Sequence, residues 1–267
     1  MVIPFSKKLM LYILLLTSIN AKAADHFTIY AATSNGNLAI SKDKGVSWQK
    51  TSPSDGYSVN NVFLTGNKLY VAGGNGTVKY STDNGKTWKA TTNPNWSAVN
   101  SVFVSGNTLY AATDVGKVVV SKDGGKKWHG TKTLPDGSDV NIVFVANNKI
   151  YAGTEDGNIE VSSNNGDTWI PTTQPLSDSP VNSIVVQGNT IYAAIDAGMV
   201  KISKDHGKTW QATTSPDNTP VLSVFVSGKT LYVGTEKGNV AISKDTGKTW
   251  KLVTPPDGSM VYCVLVK

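Results

Sequence analysis

Short apolar runs alternate with polar, glycine-rich turns along nearly the whole chain. The stretch from Val99 to Trp128 reads VNSVFVSGNTLYAATDVGKVVVSKDGGKKW, and similar stretches start at Val140 and Val221. Runs rich in Val, Thr and Tyr between turn residues are typical of β-strands. No window keeps a helical period, so the pattern predicts an all-β protein.

The pattern repeats every 40 or 41 residues. Each copy predicts four strands: a buried run such as VFV, a second such as TLYAAT, a third such as KVVVS, and a short fourth strand after a tryptophan. An eight-residue box of the form S-x-D-x-G-x-x-W precedes the fourth strand, and the six boxes start at Ser41, Ser81, Ser121, Ser162, Ser203 and Ser243. One such sheet cannot bury its own faces, so the copies must pack against each other.

The two ends of the chain complement each other. The copy that starts at Phe27 begins with a second strand, whereas residues 260–267 match a first strand and nothing more. We therefore predict a six-bladed β-propeller of four-stranded blades, in which the C-terminal strand completes and closes the first blade. Closure would also hide the strand edges.

The residues of the box suit a turn better than a reaction centre. Its Asp can accept hydrogen bonds from backbone N–H groups of the same turn, and its Gly can adopt a positive φ. Its Trp can bury a large ring between sheets while its N–H finds one acceptor. The fourth box carries Asn164 in place of Asp, and Asn can accept the same bonds.

This box resembles the Asp-box, or bacterial neuraminidase repeat, of sialidases, sortilin-type receptors, some glycoside hydrolases and photosystem assembly factors. The resemblance covers essentially all of residues 24–267, and it implies the propeller fold while saying little about function. Family sialidases hold the substrate carboxylate with three arginines, which bind it bidentately. All 25 basic residues of this chain are lysines, so sialidase activity is disfavoured.

The N-terminus is typical of a secretory signal peptide. Lys7 and Lys8 precede an apolar run at 9–16 and an Ala-Lys-Ala site at 21–23. The run is too short to span a bilayer, so we predict a leader at 1–23 and a secreted or periplasmic propeller at 24–267. No other segment predicts a membrane span. Loss of the leader lowers the net charge from +6 to +3, because it removes three lysines and no acid.

The chain offers few residues typical of catalysis. Its one cysteine, Cys263, excludes an internal disulfide framework. His26, His129 and His206 occupy unrelated places, with neither metal-ligand spacing nor a Ser-His-Asp arrangement. We therefore predict no catalytic residue, no metal and no cofactor.

The two faces of the predicted propeller differ in charge. The six boxes contain ten lysines and six aspartates, so their face is basic and can approach anionic surfaces. Nucleic acid is a poor partner, because arginine is absent and the box tryptophans should be buried. The loops of the opposite face hold three lysines and eleven acids: Asp55, Asp114, Asp136, Asp139, Glu155, Asp156, Asp178, Asp196, Asp217, Glu236 and Asp257.

Aromatic and amide side chains mark a candidate ligand site on this acidic loop face. Trp96 has no equivalent in other repeats, and Tyr57 lies in the neighbouring loop. Exposed aromatic rings can stack on a sugar or anchor a protein partner. An asparagine at the start of four first strands either lines the axial channel or bonds neighbouring backbone. The candidate ligand-binding residues are Trp96, Tyr57, Asn60, Asn100, Asn141, Asn182, Asp136 and Asp257.

The sequence therefore favours an exported, non-catalytic binding or scaffold propeller that recognises a glycan or a protein through its loop face. The alternative is a glycoside hydrolase, other than a sialidase, that uses a carboxylate pair in the same loops. The acids of these loops also suit simple turn chemistry, since SPSDG, LPDGS and PPDGS are turn sequences. A third hypothesis, an assembly factor, rests on the likeness of the repeat alone.

Overall fold

The chain is described here from a computed structural model, which places residues 28–32, 36–42, 47–53, 56–94, 98–174, 179–253 and 260. These residues form 23 β-strands and no helix, which confirms the all-β prediction. Accordingly, no helix among them could cross a membrane. The predicted signal peptide lies outside the described residues.

The strands form six antiparallel sheets, each in sequence order. The first sheet has three strands, β1 (Ile29–Ala32), β2 (Leu38–Ser41) and β3 (Gln49–Thr51). Blade 1 consists of β4 (Val59–Thr65), β5 (Lys68–Gly73), β6 (Val78–Ser81) and β7 (Lys89–Ala90). Blade 2 consists of β8 (Val99–Ser105), β9 (Thr108–Thr113), β10 (Val118–Ser121) and β11 (His129–Gly130).

The remaining three blades repeat this arrangement. Blade 3 consists of β12 (Val140–Ala146), β13 (Lys149–Thr154), β14 (Ile159–Ser162) and β15 (Ile170–Pro171). Blade 4 consists of β16 (Val181–Gln187), β17 (Thr190–Ile195), β18 (Met199–Ser203) and β19 (Gln211–Ala212). Blade 5 consists of β20 (Val221–Ser227), β21 (Thr230–Thr235), β22 (Val240–Ser243) and β23 (Lys251–Val253).

The prediction of six four-stranded blades is wrong. Among the described residues, the β-propeller has five blades of four strands each, and the sheet β1–β3 has three strands. The reason is that the N-terminal copy of the repeat begins at its second strand, so a box is present without a complete blade. The strand predicted to complete this sheet falls at 260–267, of which only Met260 lies within the described residues.

Apolar first and second strands build the core between the blades. Strand β8 is buried except for its last residue, as expected for a strand covered on both faces. Phe103 of this strand contacts Phe63 of blade 1 and Phe144 of blade 3, with ring centroids 4.7 and 4.8 Å apart. A second buried cluster joins Tyr30 of the three-stranded sheet to residues of blade 1 and to Phe225 of blade 5. The first sheet therefore packs with both the first and the last blade.

The boxes form turns that fasten each blade to the one before it. In blade 2, the Ser121 hydroxyl donates to Asp123 and accepts from the backbone N–H of Gly125, both at 2.8 Å. Asp123 also accepts from the backbone N–H four residues further on, at 2.9 Å. The Trp128 indole N–H donates to the Thr92 carbonyl of blade 1 at 3.0 Å. The predicted turn chemistry is confirmed, and it extends across the blade boundary.

The variant box of blade 3 folds in the same way. Asn164 accepts from the backbone N–H of Thr168 at 3.0 Å, as predicted for an Asn in this position. In blade 5, side-chain and backbone hydrogen bonds from Thr249, together with one from Ser243, hold the pKa of Asp245 well below its usual range. The Asp245 carboxylate therefore stays ionised and acts as a turn acceptor.

Candidate functional site

Two sets of loops meet on the face opposite the boxes, as predicted. Asp136, in the connection from blade 2 to blade 3, accepts from the Thr154 hydroxyl and from the Asn158 amide, both at 2.8 Å. Thr154 and Asn158 flank the turn between the second and third strands of blade 3. The backbone N–H of Glu155 in this turn donates to the Asp139 carbonyl at 3.0 Å. The connection and the turn therefore form one surface.

Three of the four predicted asparagines are buried clamps between blades. Each donates its amide N–H to the carbonyl of the first-strand valine in the next blade, at 2.9 to 3.1 Å, in the pairs Asn60–Val99, Asn100–Val140 and Asn182–Val221. Asn100 is 6% exposed, and Asn60 and Asn182 are each 1% exposed. This backbone bonding is one of the two alternatives that the sequence left open. A role in ligand binding stays a prediction for these residues.

A β-bulge gives the asparagines their reach. The pairing of the first two strands shifts register at this residue in every blade, for example between Val99 and Ser101 on either side of Asn100. A bulge leaves one residue outside the regular pairing and can re-aim its side chain. The residue after the bulge also reaches across, since Ser101 accepts from the backbone N–H of Val143 in blade 3 at 3.0 Å.

The seam between blades 3 and 4 lacks both of these bonds. Asn141 donates to the Glu155 carboxylate of its own blade at 2.8 Å instead of reaching blade 4. The next residue is Ile142, whose side chain has no hydrogen-bond acceptor. The equivalent residues of blades 1, 2 and 4 are Asn61, Ser101 and Ser183. Apolar contact takes over here, because Ile142 and Val181 pack around Gly153. Among the described residues, this seam therefore lacks the two bulge bonds of the other three, although the Asn147 amide donates to the Gly188 carbonyl across it at 2.9 Å.

A polar cavity opens on the loop face at this seam. It has a volume of about 640 Å³ and is lined by Glu155, Asp156, Asn158, Gln174 and Pro180. The Gln174 amide donates to Asn158 at 2.8 Å, so the two amides form one wall. Of the residues predicted from the sequence, Asn141 and Asp136 are hydrogen-bonded to cavity-lining side chains. Two carboxylates and two amides thus face one opening.

A buried acid lies beside Asp136. Glu160, on the third strand of blade 3, is 1% exposed, and its Oε2 atom has no hydrogen-bond partner among the described residues. Burial and the neighbouring carboxylate of Asp136 raise the pKa of Glu160 to about 7. In blade 5, Asp217 makes the same bonds to a Thr and an Asn, but Ala241 occupies the place of Glu160. The buried carboxyl is therefore an addition to the repeat and not one of its requirements.

The other predicted ligand residues lie apart from the cavity. Tyr57 is 56% exposed and lies in the connection that leads into blade 1, whereas the cavity lies between blades 3 and 4. Trp96 and Asp257 fall outside the described residues, so their placement stays a prediction. The structure therefore brings Asn141 and Asp136 to one site and does not bring Tyr57 to it.

Sequence reasoning missed Gln174 and Glu160. Gln174 lies in a Thr-rich segment after the fourth strand and has no distinguishing motif. Glu160 could have been noticed, because the equivalent third-strand positions hold Ala39, Lys79, Val119, Lys201 and Ala241. Among the described residues, no group of three or more His, Cys, Asp or Glu side chains is placed to hold a metal ion.

The repeated antiparallel blades define the chain as a β-propeller protein. Residues 17–133 and 170–258, more than half of the chain, match the family described as DUF6242 beta propeller domain. The chain therefore belongs to this family. A search of curated proteins gave no match.

Two similar solved structures are also propeller-like in fold. The computationally designed Ika8 protein is 14% identical, with a TM-score of 0.61, and the match covers 90% of this chain and 74% of that one. YCF48 bound to D1 peptide is 18% identical, with a TM-score of 0.61, and the match covers 85% and 79% of the two chains. At these identities the likeness shows the fold alone.

Proposed function

We propose that this protein is an exported, non-catalytic binding module whose loop face recognises a glycan. The observation that carries the proposal is the polar cavity at the seam between blades 3 and 4, with two carboxylates and two amides around about 640 Å³. Such groups donate to and accept from sugar hydroxyls in fixed directions. The volume lies within the range of about 300–1,000 Å³ that is typical of ligand sites.

The accompanying acids favour binding over hydrolysis. A glycoside hydrolase needs a protonated carboxyl that can reach the glycosidic oxygen. Glu160 has the raised pKa of such an acid, but it is 1% exposed and a substrate in solution cannot reach it. Asp136 is occupied by bonds to Thr154, Asn158 and the backbone of Ser138. These two acids therefore suit a structural role beneath the cavity.

A glycan-array screen of the chain from Ala24 tests the proposal. The variant Glu155→Gln with Asp156→Asn should lose binding, since it removes both cavity carboxylates. Glu236→Gln is the matched control, because Glu236 holds the position of Glu155 in blade 5, away from this seam. Product release is measured on every glycan that binds.

Binding that the double variant abolishes and the control keeps would support the proposal. Binding that both variants keep would place the ligand elsewhere on the protein. Absence of binding to all glycans would reject the glycan as ligand, and turnover would reject the non-catalytic role.

A further inference from the structure

The outer edge of blade 3 departs from the repeat at one position. The residue after each box tryptophan is polar in five copies, Gln49, Lys89, His129, Gln211 and Lys251, but it is Ile170 in blade 3. Ile170 is 68% exposed, more than any other large hydrophobic residue in the described part of the chain. An exposed isoleucine on an outer strand has no role in the core of its own blade.

The box of blade 4 departs from the repeat at a second position. Its fourth residue is His206, whereas the equivalent position holds Lys44, Asn84, Gly124, Asn165 or Thr246 in the other boxes. His206 has a φ of 63°, in the left-handed region that Asn and Gly adopt most easily. Histidine is also enriched in this region among residues other than glycine, so the turn accommodates it, and the side chain itself is the distinctive feature.

These two departures line the same cavity. The cavity lies between the outer strands of blade 3 and the box of blade 4, and it has a volume of about 310 Å³. Ile170, Val161 and Tyr151 form apolar parts of its lining, and His206 belongs to the opposite side. The two residues are 36 positions apart in the chain, so their meeting depends on the packing of blade 4 against blade 3.

The charge of this cavity is one-sided. Lys149 and Lys208 line it together with His206, and none of the described residues that line it carries a carboxylate. Cationic groups beside an apolar wall complement a ligand that has an anionic head and an apolar body. The volume is at the low end of the range of about 300–1,000 Å³ for ligand sites, which favours a small molecule.

We propose that this cavity is a second binding site, separate from the loop face, for a small carboxylate with an apolar body. The carboxylate lies at Lys149, His206 and Lys208, and the body covers Ile170. This site stands independently of the glycan site, because the two cavities share no lining residue.

Titration calorimetry with octanoate tests the site. Octan-1-ol and octyltrimethylammonium serve as neutral and cationic probes of the same chain length. The test variant is Ile170→Gln with His206→Asn, which restores residues that the repeat uses at these positions in Gln211 and Asn165. Because other blades fold with these residues, the variant should keep its structure, which circular dichroism checks. Leu252→Gln is the control, since Leu252 is also an exposed apolar residue on an outer strand.

The expected result is saturable one-to-one binding of octanoate that weakens at least about tenfold in the test variant and is unchanged in Leu252→Gln. Octan-1-ol should bind at least about tenfold more weakly than octanoate, and the cation should not bind. The proposal is overturned if octanoate gives no saturable binding or if octan-1-ol binds equally well. It is also overturned if the folded test variant keeps full affinity.

Discussion

Replacing the buried acid Glu160 with Gln should change how the stability of the protein depends on pH. In the folded protein the pKa of Glu160 rises from an ordinary 4.5 to about 7. The folded state therefore holds a proton that the unfolded state releases between these values. Stability contributed through this group is full below the lower value and is lost as pH rises through the higher one.

The size of the effect follows from the same shift. Each unit of pKa corresponds to about 1.4 kcal/mol, so the free energy of unfolding should fall by about 3 kcal/mol across this window through Glu160 alone. Because the side chain is only 1% exposed, solvent does little to screen this cost. Glu160→Gln removes the titration while keeping the shape of the neutral side chain. Since pH 5 already lies above the lower pKa, the variant should be more stable than the native protein by about 2.5 kcal/mol near pH 8, relative to their difference near pH 5.

Urea unfolding of the variant and the native protein at both pH values measures how the difference between their free energies of unfolding changes with pH. Any cost of burying the Gln amide is present at both values and cancels. Asp156→Asn is the control, since it also replaces a carboxyl by an amide, but at an exposed position of the neighbouring turn. Equal pH dependence in Glu160→Gln and in the native protein would refute the reasoning, because Glu160 would then be ionised at no cost in the fold.

Two further predictions concern the contacts between blades. Asn100→Ala should lower the free energy of unfolding by about 1–3 kcal/mol, because it leaves a buried carbonyl unpaired, whereas Asn141→Ala should lower it less. Thermal unfolding of both variants compares the two losses, and equal losses would argue against the clamp. Gly247→Ala should destabilise strongly, since a Cβ there would lie 2.6 Å from the Cβ of Thr213, while Gly228→Ala meets no atom within 4 Å. Gly228→Ala should therefore cost only the strain of a positive φ, about 1–2 kcal/mol, and a loss as large as that of Gly247→Ala would contradict the contact.

The repeat predicted strands, turns and the faces of the loops, but it overcounted the four-stranded blades. Counting boxes counts turns between third and fourth strands, and the box at Ser41 falls within the sheet β1–β3, which has no first strand among the described residues. The box residues themselves were predictable because their bonds are mainly local. Ser121, Asp123 and Gly125 lie within five residues of one another, so the sequence contains the whole turn.

The candidate site was less predictable, because residues at equivalent positions of the repeat make different contacts in different blades. Asn100 and Asn141 stand at equivalent positions, yet one clamps the next blade and the other bonds Glu155. The substitution of Ile142 for serine was visible in the sequence, but its effect required the geometry of the seam. Gln174 joins the cavity only through the folding of blade 3.

Blades 1, 2 and 4 each hold their neighbours with two side chains that act in opposite directions along the chain. The box tryptophan donates to the blade that precedes it, whereas the bulge asparagine donates to the blade that follows. During synthesis from the N-terminus, a new blade can therefore fasten itself to a finished neighbour at once. The bulge asparagine of that blade finds its acceptor carbonyl only after roughly another repeat has been made. Leu222 stands at this position in blade 5, so blade 5 carries no such amide donor.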